Sequence, residues 1–250
     1  MIETWGPLTL AVVAVCVLLY GFSKTAMPVA GVLAGPLLAA ALGATTASGF
    51  IMPLLVLGDL FALARYRQHV NWRLIGKLIP GVFVGLVLTA VMFRFLTVST
   101  LDRVIGVLIL LSVGLELWRR RNPVPVDEHR PPNRLAVGFF GALTGMTTMA
   151  ANAGGTAMSL YLINMRVAML AFMGTSAWFF FFVNLLKAPF LIGLGFLNMT
   201  TLLADLWFIP LIAIGALVGN WTFDRMNERI FTNVALGLSA GASVFLIIHG

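Results

Sequence analysis

Four ionisable side chains lie within or beside long apolar stretches of the chain: Lys24, Asp59, Lys187 and Asp205. A charge inside a lipid bilayer is costly, so such residues usually face a protein interior and serve a function. Lys24 and Lys187 could supply positive charge to an anion, or each could extend its side chain to the membrane surface. Pro189 predicts a helix break that would let Lys187 turn inward. For Asp59 and Asp205 we favour a structural or interfacial role. The alternative is that they carry protons coupled to transport.

The run Asn152-Ala153-Gly154-Gly155-Thr156 is the best candidate for binding an anion. Its glycines let backbone N–H groups turn toward a ligand, and a helix that begins there directs its positive end at the same point. Asn152 and Thr156 add side-chain donors, whereas close helix packing is the alternative use of such small residues. Further candidate ligands are the hydroxyls of Thr45, Thr46, Thr175 and Ser176 and the amide of Asn184.

The composition places these residues in a membrane. Of 250 residues, 60% are hydrophobic and 10% are charged, with a net charge of +7. Soluble domains carry about 25% charged residues, so a water-soluble enzyme, a disordered protein and a disulfide-stapled secreted domain are excluded. The basic residues are spread between apolar runs, which indicates membrane topology rather than nucleic-acid binding. We predict an all-α polytopic membrane protein.

Proline, glycine and charged residues divide the chain into ten apolar segments, which predict 8–10 transmembrane or re-entrant helices. The segments cover residues 8–24, 28–44, 46–64, 74–96, 101–118, 135–151, 155–165, 168–186, 201–223 and 230–248. If they alternate in direction with the N terminus outside, thirteen of the 16 Lys and Arg residues fall on the inside. This excess predicts that both termini lie outside. Segments 28–44 and 155–165 are short, so they could instead re-enter the membrane and leave eight full spans.

The two halves of the chain resemble each other on either side of a charged, proline-rich linker. We divide the chain into a first repeat at 1–118, a cytoplasmic linker at 119–134 and a second repeat at 135–250. Matching pairs with equal spacing are Gly21–Gly31 with Gly145–Gly155, and Thr45–Pro80 with Thr175–Pro210. Because each half has five segments, the second half would be inverted, as in many secondary transporters. Chance similarity between apolar sequences is the alternative.

The two short segments correspond in this repeat. Such pairs of interrupted segments usually mark a binding site near the middle of the membrane.

Metal binding, ATP hydrolysis and nucleophilic catalysis have little support in the sequence. The three histidines show no metal-ligand spacing, and no Walker A or Ser/His/Asp pattern is evident. We therefore expect no metal, no cofactor and no enzymatic activity. Cys16 and the aromatic run Trp178–Phe182 are interpreted as packing or lipid-facing residues.

An ordered set of motifs runs through both halves. In the first half it contains Gly21-Phe22-Ser23-Lys24-Thr25, Pro28, Pro36, Gly58-Asp59, Arg65-Tyr66-Arg67, Asn71-Trp72-Arg73, Pro80-Gly81 and Gly85. In the second half it contains Ala151-Asn152-Ala153-Gly154-Gly155, Tyr161-Leu162, Phe172-Met173-Gly174-Thr175, Asn184, Lys187 and Pro189. Taken together, this set resembles the sulfite exporter TauE/SafE family, also called the toluenesulfonate uptake permease family.

The resemblance implies a carrier of the bacterial inner membrane that exports small anions such as sulfite, sulfonates and other sulfur-containing oxyanions, driven by the proton motive force. The implied partners are a small anionic substrate and the lipid bilayer, with no nucleic acid, and the chain could form a homodimer. A non-transporting partner subunit of a larger complex is the main alternative, and a membrane-embedded enzyme is the lesser one.

Overall fold

The computed structural model describes residues 5–92, 95, 100, 103, 107, 134–152 and 154–249. This part of the chain is helical and contains no strand, which confirms the all-α prediction. The helices are α1 (Pro7–Ala26), α2 (Ala34–Leu42), α3 (Ala44–Tyr66), α4 (Trp72–Met92), α5 (Arg134–Ala151), α6 (Gly154–Asn164), α7 (Met169–Gly193), α8 (Met199–Asp205), α9 (Ile209–Phe223) and α10 (Glu228–His249). Apart from residues 103, 107 and 134, the predicted segment 101–118 and the linker 119–134 lie outside the described residues.

Within the described ranges, five helical stretches are long and apolar enough to cross a membrane. They are Pro7–Ala26, Thr45–His69, Trp72–Met92, Met169–Gly193 and Met199–Phe223, each of 20 to 25 residues. At 1.5 Å per residue they reach about 30 to 38 Å, which matches the thickness of the hydrocarbon core. The chain is therefore a multi-pass membrane protein.

Both short segments begin at a break in the helix before them. Helix α1 ends at Ala26, and a 3-10 helix over Pro28–Leu33 leads into α2. Helix α5 ends at Ala151, and Asn152 takes a left-handed backbone conformation with φ of 52° before α6 begins. Helices α2 and α6 contain 9 and 11 residues. Each is therefore about half as long as a spanning helix requires.

The helix break expected at Pro189 is wrong. Helix α7 continues through Pro189 to Gly193, well beyond the predicted end at residue 186. A proline removes one backbone hydrogen bond, and membrane helices tolerate this where neighbouring groups satisfy the freed carbonyl. Lys187 nevertheless faces inward, because its position on the continuous helix α7 points into the protein.

The two most extensive contacts between helices join α1 to α9 and α4 to α5. Glycines let these backbones approach closely, as is common between membrane helices. A Cβ atom on Gly21 would overlap the carbonyl oxygen of Ile212, and one on Gly215 would overlap that of Leu18. In the second pair, a Cβ atom on Gly85 would overlap the carbonyl oxygen of Ala142, and one on Gly145 would overlap that of Val82. The matching positions of the two halves thus make reciprocal contacts.

Candidate functional site

The two helix breaks lie against each other. A Cβ atom on Gly155, at the start of α6, would overlap the carbonyl oxygen of Pro28 at the start of the 3-10 helix. On the other side of that 3-10 helix, a Cβ atom on Gly31 would lie 2.7 Å from the Ser23 Oγ. Only glycine allows this approach without a shift of the backbone. Elements from both halves of the chain therefore meet at one place in the interior.

A cavity opens where the breaks meet. The cavity is partly open to the outside of the protein. Its walls include the candidate residues Lys24, Asn152, Gly155 and Asn184, and also Thr148 and Phe180. Both halves contribute to these walls, and four of the residues predicted from the sequence lie together there.

Lys24 and Asp59 form an ion pair beside this cavity. The Lys24 Nζ lies 2.6 Å from the Asp59 Oδ1, and the Asp59 side chain is fully buried. The Asn184 Nδ2 donates a hydrogen bond of 2.6 Å to the other carboxylate oxygen, Oδ2. The Lys24 Nζ also lies 5.0 Å from the centroid of the Phe180 ring. Lys24 is thus held inside the protein by α3 and α7, and it does not extend to the membrane surface.

Lys187 is buried and has only neutral hydrogen-bond partners. It is 1% exposed, and its Nζ donates to the Asn152 Oδ1 at 2.6 Å and to the Thr148 carbonyl oxygen at 3.5 Å. Within the described ranges, the ion pairs are Lys24–Asp59 and a second pair at the end of α3, so Lys187 has no carboxylate partner. With both lysines protonated and Asp59 ionised, these three groups carry one net positive charge at the helix breaks.

The N terminus of α6 adds to this positive potential. Helix α6 begins at Gly154, and Gly155 lies in the cavity wall. The unpaired N–H groups and the dipole of a helix N terminus favour a negative charge there. The Thr156 hydroxyl is buried and has no partner among the groups that the structure describes. Lys24 and Gly155 lie in the cavity wall, and Lys187 is hydrogen-bonded to the wall residues Asn152 and Thr148, which together form a donor set suited to an oxyanion.

The hydroxyl pairs predicted as ligands lie elsewhere. The Thr175 Oγ accepts a hydrogen bond of 2.9 Å from the Asn71 N–H, beyond the end of α3. Along α7, Thr175 is about 18 Å from Lys187, and along α3, Thr45 is about 21 Å from Asp59. Thr45 is exposed and Thr46 is half-buried. Ser176 is buried, and its hydroxyl has no hydrogen-bond partner in the part of the chain that the structure describes. The structure does not bring these four side chains to the cavity.

Asp205 also lies away from the cavity. It is 3% exposed at the end of α8, and neither carboxylate oxygen has a hydrogen-bond partner among the described residues. Its neighbours in the chain, Ala204 and Phe208, belong to an apolar cluster with Phe50. Of the two candidate proton-coupling residues, Asp59 contacts Lys24 at the breaks and Asp205 does not.

Thr148 and Phe180 are among the cavity residues that the sequence analysis did not predict. Thr148 occupies the position that corresponds to Lys24 when Gly145 is matched to Gly21, so the repeat itself was the available signal. Phe180 belongs to an aromatic run that we interpreted as packing or lipid-facing, yet it lies one turn before Asn184 on the face that also carries Lys187. Neither residue has a composition or motif that indicates a ligand by itself.

Comparison with known families decides the family to which the chain belongs. A model of the sulfite exporter TauE/SafE family matches residues 13–246. The chain belongs to the TauE/SafE family. This confirms the resemblance seen in the sequence motifs and identifies a membrane protein of a transporter family. No curated protein and no solved structure gave a significant match. Among the described residues of this TauE/SafE protein, no group of three or more His, Cys, Asp and Glu side chains could hold a metal ion.

The Gly155→Ala variant of this TauE/SafE protein tests whether the two breaks are packed together. The added methyl group would overlap the Pro28 carbonyl oxygen, so we expect a loss of about 1–3 kcal/mol in the free energy of unfolding. The melting temperature in detergent measures this loss. Gly138→Ala in α5 is the matched control, since a Cβ atom there meets nothing within 4 Å. Equal melting temperatures for the two variants would contradict the close contact.

Proposed function

We propose that this TauE/SafE protein is a secondary transporter that exports a small sulfur-containing oxyanion, such as sulfite or a sulfonate. The observation that carries the proposal is the buried Lys187, which has only neutral partners beside a cavity lined by Lys24 and Gly155. A buried charge without a counter-ion is costly. A substrate anion that enters the cavity would supply the missing negative charge.

The kind of anion follows from the donors that surround the cavity. Lys24 on α1 and the N terminus of α6 lie in the cavity wall, and Lys187 on α7 lies behind the wall residues Asn152 and Thr148, so the three groups suit a compact ion with several oxygens. A sulfite or sulfonate group has three oxygens arranged in a pyramid and can accept from all three directions. Because ammonium groups are strong donors to charged oxygens, each direct contact contributes roughly twice a neutral hydrogen bond.

We further propose that the chain works by alternating access between two inverted repeats, 1–118 and 135–250. Two observations support this arrangement: both breaks lie at matching positions of the repeats, and the glycine contacts of α1 with α9 are repeated in those of α5 with α4. Helices broken at the membrane centre are typical of carriers built this way. In this proposal the protein lies in the bacterial inner membrane with both termini outside, and the proton motive force drives export.

Thermal stability of the detergent-purified protein tests the proposed ligand class. The panel contains sulfite, sulfate, thiosulfate, methanesulfonate, taurine and acetate at equal ionic strength, with chloride as the reference. We expect selective stabilisation by one or two sulfur oxyanions, since a ligand that binds only the folded state raises its stability. Flux of the same anion into proteoliposomes would then follow a pH gradient. If no anion shifts the melting temperature and none is transported, the protein is better explained as a partner subunit.

A further inference from the structure

We propose that the Asp59 carboxylate is a built-in competitor for the substrate at Lys24, and that the anion displaces it only when Asp59 takes up one proton. This inference rests on the proposed function and assigns its proton coupling to a specific exchange of partners. The carboxylate occupies Lys24 when the cavity is empty, and the substrate occupies Lys24 when Asp59 is protonated.

The geometry of the ion pair supports the competition. Lys24 lies in the cavity wall, and its Nζ is already 2.6 Å from the Asp59 Oδ1. A carboxylate oxygen at this distance takes the place that an oxygen of a bound oxyanion would take, because both are charged acceptors of an ammonium hydrogen bond. An anion beside Lys24 would also lie within a few ångströms of the Asp59 charge. The two negative groups therefore exclude each other unless one is neutralised.

Asp59 is the group that takes the proton in this exchange, because it is the acidic side chain paired with Lys24. The ionic groups that act on its carboxylate are Lys24 on α1 and Lys187 on α7. Two other helices packed against α3 carry or lead to acidic residues. Asp205 on α8 lies outside the cavity wall. Asp224, which follows α9, pairs with Arg65 at the far end of α3. With Asp59 ionised, the groups at the breaks sum to one positive charge. With Asp59 protonated they sum to two, which a divalent oxyanion balances.

Asn184 lets Asp59 remain in place during this exchange. Its amide donates to the Asp59 Oδ2 in the structure. A side-chain amide also carries an acceptor oxygen, so after a flip of the amide group it can accept a hydrogen bond from a protonated Oδ2 as well. The proton comes from the aqueous phase and joins one carboxylate oxygen, while the ammonium group of Lys24 changes its acceptor from Asp59 to the anion. No bond of the substrate is made or broken.

The pH dependence of anion binding tests this exchange. The probes are sulfate, which is divalent, and methanesulfonate, which is monovalent, because neither changes its charge near neutral pH. For the wild-type protein we expect sulfate affinity to fall with rising pH, with a limiting slope of about tenfold per pH unit for one linked proton. Pulsing sulfate into a weakly buffered sample at a pH within this falling range should remove up to one proton from solution for each anion bound.

The Asp59→Asn variant removes the titrating group and keeps its shape. We expect it to bind sulfate with an affinity that is flat with pH, and to take up no proton on binding. Asp205→Asn is the matched variant at a second buried aspartate, and we expect the pH slope to persist in it. A slope that persists in Asp59→Asn, or that is lost in Asp205→Asn instead, overturns the inference.

The wild-type profile alone separates this inference from the proposed function. Anion binding that is independent of pH contradicts the exchange at Asp59 but leaves the anion site intact. Absence of binding for both probes and for sulfite at every pH contradicts the anion site and the exchange together. The wild-type measurement needs no variant, so it stands even if Asp59→Asn fails to fold.

Discussion

Replacing Lys187 with methionine is expected to lower anion affinity by about 100-fold or more and to abolish transport. The ammonium group is 1% exposed, and its hydrogen-bond partners are the Asn152 side-chain oxygen and a backbone carbonyl. A hydrogen bond between charged groups contributes about 3 kcal/mol, which corresponds to roughly 100-fold in a binding constant. Isothermal titration of the purified variant with the anion identified in the thermal panel measures the loss.

The same substitution should leave the protein folded. Methionine fills a similar volume and removes the cost of burying an amine, while the two acceptors lose a donor at about 1–3 kcal/mol each. Lys77→Met in α4 is the control, because Lys77 is exposed. If Lys187→Met and Lys77→Met bind the anion as tightly as the wild-type protein does, Lys187 is not part of the site.

Replacing Lys24 with methionine is expected to destabilise the protein by about 3–5 kcal/mol, because it leaves a buried carboxylate without its cation. Asp59 would keep only the hydrogen bond from Asn184. The double variant Lys24→Met, Asp59→Asn should recover most of this loss, since the uncompensated charge is then removed. Unfolding of all four proteins in the same detergent gives the coupling energy of the pair.

An exposed ion pair in the same protein provides the reference for this cycle. Arg65 and Asp224 join the ends of α3 and α9, and their side chains are 36% and 52% exposed. Exposed pairs contribute about 0–1 kcal/mol, so Arg65→Met should have little effect on stability. If the Lys24 and Asp59 substitutions are additive, or if Arg65→Met is as damaging as Lys24→Met, the buried pair does not stabilise the fold in the way described.

Helices and their breaks could be predicted from the sequence because both depend on local chemistry. Apolar runs of about 20 residues specify spanning helices, and Pro28 and Gly154-Gly155 specify the positions where the chain restarts after a break. Pro189 shows the limit of the same reasoning. Proline destabilises a helix only locally, because it removes one backbone hydrogen bond. Helix α7 continues through Pro189, as membrane helices do where neighbouring groups satisfy the freed carbonyl.

The composition of the site depends on contacts between distant parts of the chain. Asp59 and Asn184 are 125 positions apart in the sequence and share a hydrogen bond. The sequence singles out each ionisable residue as a candidate, because burying a charge in a membrane is costly. The neighbouring residues in the sequence do not indicate which side chain it contacts in the fold. The hydroxyl pairs illustrate the opposite case: the rise along α3 and α7 alone separates Thr45 and Thr175 from the charged residues.

The position of a bound oxyanion tests the central claim most directly. Selenate is an analogue of sulfate, and selenite of sulfite, and selenium gives an anomalous diffraction signal that locates the ion. Crystals of the protein with either ion should show one selenium site in the cavity, within hydrogen-bond distance of the Lys24 Nζ and of the backbone N–H groups at Gly155. An ion found only at the protein surface, or a cavity that stays empty at saturating selenate and selenite, would contradict the assignment of the helix breaks as the anion site.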